Sequence, residues 1–76
     1  MPHIEVKCWP GRTEEQKSLL AQKIAEDVSE IFGSSMSSIS VAIRDVPKEQ
    51  WKQEVWDKDI APNEALLYKQ PGYRPE

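Results

Sequence analysis

The sequence predicts an α/β fold: one β-α-β unit with parallel strands, a long helix between them and a short C-terminal helix, with the sheet completed by a second protomer. Three observations predict it. Apolar residues alternate at Ile4, Val6 and Cys8, and again at Ile39, Val41 and Ile43. This period of two marks strands with one apolar face. Between them lies a stretch of helical periodicity bounded by a start and a stop signal. Strand, helix and strand in that order make the strands parallel and the crossover right-handed.

Each element has its own signals. In the first strand, His3, Glu5 and Lys7 occupy the polar face, and Pro10 and Gly11 end the strand. Thr13 is a good N-cap, and Gln16 three residues on completes a capping box. Glu14 and Glu15 fall in the first turn, where the helix dipole favours negative charge. Leu20, Ile24, Val28 and Ile31 make one apolar stripe. Gly33 is placed to stop the helix after Phe32. A helix from Glu14 to Phe32 is about 28 Å long.

The second strand reads Ser38 to Arg44. Beyond Val46, Pro47 starts a short helical turn ending near Trp51. Residues 52–60 fit helix, turn or short strand equally. Pro62 begins a last helix with Ala65, Leu66 and Leu67, and Pro71 and Gly72 turn the chain into a tail containing Tyr73.

Length and composition narrow the function classes. A chain of 76 residues forms one domain, 1–76, and buries only about 60% of its unfolded surface. It needs a support beyond its own core. The single cysteine, Cys8, excludes an internal disulfide, and the single histidine, His3, argues against structural zinc. Assembly with further copies is the remaining support. It also relieves two further problems: parallel sheets are normally covered on both faces, and both strands here would be edges. A net charge of −3 with scattered Lys and Arg offers no footprint for nucleic acid. No apolar run is long enough to span a membrane. A free thiol and the absence of a secretory signal predict a cytoplasmic protein.

Two residues could carry chemistry. Met1 is expected to be removed ahead of Pro2, because proline is small. Removal turns the Pro2 nitrogen from an amide into a free secondary amine on a rigid ring. A neighbouring cation and an apolar pocket both lower the pKa of such an amine, which makes it a base for proton abstraction beside a carbonyl. The plain alternative is a proline that only starts an edge strand. Arg12, after Gly11 in the loop before the helix, could bind a carboxylate through two bonds or stand as a solvated surface residue. His3 reads as a surface residue, Cys8 as inert core, Trp56 and Tyr73 as core or interface anchors, and Glu5 and Lys7 as a solvated face. No carboxylate pair, nucleophile–base constellation or phosphate loop is present.

Pro2, the short strand, GRTEEQK at 11–17, the long helix and SSISVAI at 37–43 together resemble the tautomerase superfamily, nearest to its 4-oxalocrotonate tautomerase branch. The resemblance covers roughly residues 2–51. The segment from Trp51 through KQPGY resembles the longer, dimeric bacterial subgroup with phenylpyruvate tautomerase-like activity. The resemblance implies Pro2 as catalytic base, Arg12 as the residue binding a substrate carboxylate, and Trp51 as the wall of an apolar pocket. One position departs from the pattern. A second family arginine, on the second strand, aligns with Ser40, and Arg44 lies about 13 Å further along. A substrate with one carboxylate and an apolar group suits this chain better than a dicarboxylate.

The resulting expectation is a cofactor-independent tautomerase that interconverts enol and keto forms of a 2-oxo acid such as phenylpyruvate. It is expected to use no metal, to form a homodimer, and to bind neither nucleic acid nor membrane. Two rivals accompany it. Hydration or dehalogenation of a small unsaturated acid needs a group to activate water, and none is identified. A non-catalytic oligomeric interaction module would not need the Pro2 amine.

Overall fold

The computed structural model describes residues 1–75. Strand β1 (His3–Cys8) leads through a loop to helix α1 (Glu14–Phe32), a short 3-10 turn (Met36–Ser38) and strand β2 (Ser40–Asp45). The strands pair in parallel, from His3 opposite Ser40 to Cys8 opposite Asp45. The ladder extends one step at each end. Ser40 N–H donates to the Pro2 carbonyl at 3.2 Å, and Val46 N–H to the Cys8 carbonyl at 2.8 Å.

The local signals act as expected. Both halves of the Thr13–Gln16 capping box form. Gly33 ends α1 in the left-handed conformation, with φ 70° and its N–H on the Ser29 carbonyl. Gly11 has φ 122°, a conformation that side-chain-bearing residues rarely adopt, and so lets the loop turn between β1 and α1.

The start of β2 differs from expectation. Ser38 belongs to the preceding 3-10 turn, where its hydroxyl donates to the Ser35 carbonyl at 2.8 Å. That local bond competes with the ladder, so the strand begins at Ser40 and runs on to Asp45.

The apolar stripe of α1 is only half used. Ile24 and Val28 are half-buried, while Leu20 and Ile31 are 44% and 77% exposed. The inward line runs through Ala21, Ile24, Ala25 and Val28. Leu19, Phe32 and Met36 are also exposed. Each such side chain, once covered, would add roughly 1.5–3 kcal/mol. Cys8 is half-buried beside β2 rather than sealed in a core.

After a 3-10 turn at Lys48–Gln50, the chain forms a π-helix (Lys52–Ile60) and a 3-10 segment (Ala61–Leu66). The last helix is therefore 3-10, starts one residue before Pro62, and excludes Leu67. The wider π-helix brings Trp51, Val55 and Ile60 together over Glu5 and Lys7. Val55 and Val46 are the two buried hydrophobic residues among those described.

This packing corrects two expectations. The polar face of β1 is solvated at Glu5 but not at Lys7, and the sheet is partly covered on that side. Lys7 is half-buried, and its Nζ lies 2.6 Å from Asp59 of the π-helix. The ion pair fastens the C-terminal segment across the sheet.

A second ion pair ties α1 to β2. Lys17 Nζ lies 3.0 Å from Asp45 Oδ1. Its hydrogen bond to Asp45 raises the Lys17 pKa above the ordinary lysine value, with the charges of Asp45 and Glu14 adding to this and burial opposing it. An unfolded lysine would lose its proton first, so the contribution is complete below the ordinary value. It disappears as pH rises through the raised one. Thermal unfolding of Lys17→Gln should therefore lack an alkaline decline that the wild type shows. Equal alkaline slopes would contradict this.

Candidate active site

Pro2 and Arg12 stand at opposite ends of β1. The strand carries the chain about 20 Å from Pro2 to Cys8, and the loop to Arg12 follows. Helix α1 starts at that far end, where Lys17 meets Asp45. A single chain thus leaves the two residues well apart.

At the Pro2 end, the Pro2 carbonyl is held by Ser40 N–H, so the residue is anchored at the sheet's edge. Met1 ahead of it is fully exposed, and its loss would sacrifice no packing. His3 is exposed, and its Nδ1 lies 2.6 Å from Ser40 Oγ. Ser40 therefore neighbours Pro2 and not Arg12.

At the other end, Arg12 and Trp51 gather around Trp9. Arg12 Nη1 donates to the Trp9 carbonyl at 3.2 Å, which fixes part of the guanidinium and leaves other N–H groups outward. Arg12 takes part in none of the ion pairs among the described residues, so its charge is available to an anion. Trp51 is half-buried and, with Trp9 and Tyr73, lines an almost wholly apolar cleft of about 350 Å³. The Trp51 indole N–H donates to the Tyr73 hydroxyl at 2.8 Å. Trp56 meets the Tyr73 ring at a centroid distance of 5.3 Å, tilted by 56°. Trp56 thus acts as an anchor, whereas Tyr73 is also part of the cleft wall.

Trp9 is the residue the sequence reading passed over. Its signal was present: it continues the alternation of His3, Glu5 and Lys7, and so puts a large aromatic group on a face otherwise polar. No group of three or more His, Cys, Asp or Glu suited to a metal occurs among the described residues, and no helix there is long and apolar enough to cross a membrane.

An unpaired arginine in a turn, a proline anchored at the start of a parallel β-α-β unit and an aromatic wall accord with the resemblance noted in the sequence. The family model described as "Tautomerase enzyme" matches residues 2–56. The chain belongs to the tautomerase family. As a tautomerase it is an enzyme of the isomerase class. It is 47% identical to Tautomerase PptA of Enterobacter sp. (strain 638) over 74 residues, covering 96% of this chain and 97% of that one. This similarity takes in the segment beyond residue 56. Among solved structures, YwhB, a homologue of 4-oxalocrotonate tautomerase, is 42% identical with a TM-score of 0.60, over 62% of this chain and 77% of that one. The 4-oxalocrotonate tautomerase isozymes of Methylibium petroleiphilum give 38% and 0.63, over 66% and 81%.

Proposed function

We propose that this tautomerase interconverts the enol and keto forms of a 2-oxo acid bearing one carboxylate and an aryl or apolar group, phenylpyruvate being the type, and that the amine of Pro2 moves the proton. The neutral amine takes the enol hydroxyl proton, and the resulting ammonium protonates C3, so the double bond moves from C2–C3 to C2–O. Arg12 holds the carboxylate and opposes charge developing on the adjacent oxygen. Trp51 excludes water beside the reacting carbons. Every step is a proton transfer, for which Pro2 suffices without a cofactor.

The observation that carries this reading is the separation of Pro2 and Arg12. A 2-oxo acid spans only a few ångströms from carboxylate to C3, far less than the length of β1. One site therefore takes Pro2 from one copy and Arg12 with Trp51 from another. The exposed apolar residues of α1 and the unpaired strand edges supply surface for such a pairing, and a homodimer is the smallest assembly that closes the site. A single domain spanning 1–76 and a cytoplasmic location accord with this reading. The test is ketonisation of phenylenolpyruvate by protein beginning at Pro2, set against protein that retains Met1.

A further inference from the structure

We propose that Trp9 and Tyr73 are specificity-determining residues of this site: with Trp51 they form a slot for a flat aryl ring, whose attached carboxylate meets Arg12 at the rim. The inference rests on the proposed role of Arg12 and extends it to residues outside that assignment.

The slot is built from both ends of the chain. Trp9 follows β1, Trp51 precedes the π-helix and Tyr73 belongs to the tail, yet the three share one cleft of about 350 Å³. That size falls within the range of small-molecule pockets. The polar edge of one wall is satisfied by another, because Trp51 Nε1–H donates to the Tyr73 hydroxyl. The indole asks no hydrogen bond of a ligand, and what faces the cleft is almost entirely apolar.

The walls are also held in place before any ligand arrives. Trp56 packs on Tyr73. Lys48 Nζ lies 4.7 Å from the centre of the Trp9 ring, a cation held over an aromatic face. These contacts reduce the side-chain freedom to be lost on binding.

Trp9 also links the two halves of recognition. Its ring walls the cleft, while its carbonyl receives Arg12 Nη1. The guanidinium is thereby positioned by the same residue that bounds the aryl slot. Lys48, over the Trp9 ring, is like Arg12 absent from the ion pairs among the described residues, so two cations without a close carboxylate partner flank Trp9. A planar ring with a carboxylate on a short arm matches both features. An alkyl acid of similar length meets the charge and forgoes the ring contacts, each worth about a two- to tenfold preference.

The experiment titrates the full chain with trans-cinnamate and with trans-2-hexenoate, followed by tryptophan fluorescence and calorimetry. Wild type is expected to bind cinnamate about tenfold more tightly. Trp9→Leu and Tyr73→Leu should bring that ratio toward one, whereas Tyr73→Phe, which keeps the ring, should preserve most of it. A wild-type ratio near one overturns the proposal even if a leucine variant fails to fold. So does a ratio that both leucine variants leave unchanged. Binding needs no free Pro2 amine, so protein retaining Met1 should show the same preference. Selective binding without turnover by Pro2-first protein would overturn the tautomerase mechanism and leave the slot standing. Turnover without selectivity would do the reverse.

Discussion

Protein carrying Met1, or any added residue, ahead of Pro2 should fold and assemble normally yet ketonise phenylenolpyruvate no faster than the background. The added residue acylates the Pro2 nitrogen, which then has no usable basicity. A positioned general base contributes about 10²- to 10⁴-fold, so the loss should reach at least that range. The fold should survive, because Met1 is fully exposed and the Pro2 contact to Ser40 uses the carbonyl, not the nitrogen. Pro2→Ala with Met1 removed should be milder, since a primary amine remains on a less rigid residue. Activity of the processed wild type should fall as pH falls through the pKa of the amine, because only the neutral form accepts a proton. A partner's Arg12 close by favours that neutral form. Assay of the processed and blocked proteins side by side, with N-terminal mass analysis, measures the effect.

Arg12→Ala should lower kcat/KM for the same substrate by about 10- to 150-fold, corresponding to loss of a charge-assisted bond worth roughly 1.5–3 kcal/mol in the transition state. The variant should unfold at nearly the wild-type temperature. Arg12 is exposed and gives the loop a single bond, to the Trp9 carbonyl, while the turn is made by Gly11 and the helix start by the Thr13–Gln16 box. Arg12→Lys should restore only part of the activity, since an ammonium lacks the planar fork that grips a carboxylate. Unchanged kcat/KM would make Arg12 an ordinary surface residue.

What the sequence disclosed follows how local each signal is. Strand β1, the cap at Thr13 and the stop at Gly33 depend on neighbours within a few residues, and all were legible. The first residues of β2 were not, because Ser38 could serve either the strand or the preceding turn, and its bond to Ser35 decided for the turn. The segment 52–60 was opaque for a different reason. Trp51, Val55 and Ile60 recur every four to five residues, which fits a π-helix, rare as a whole element, and neither an α-helix nor a strand.

The site divides in the same way. Pro2, Arg12 and Trp51 were singled out by residue type and by resemblance, but their distribution over two ends of β1 emerges only from the fold. Trp9 and Tyr73 lie 64 residues apart by their numbering, and no local pattern joins them. Lys7 looked like a solvated strand residue because its partner, Asp59, is distant in sequence.

The most direct test of a site shared between copies is complementation. Two impaired proteins, one blocked ahead of Pro2 and one carrying Arg12→Ala, would be unfolded together, refolded and assayed for ketonisation against each protein refolded alone. In a two-fold pairing, one of the two sites in each mixed dimer joins an intact Pro2 to an intact Arg12. Random mixing should therefore restore about one quarter of wild-type activity. Confirmed mixed dimers no more active than the proteins refolded alone would contradict the shared site, because a site contained within one chain cannot be rescued by its neighbour.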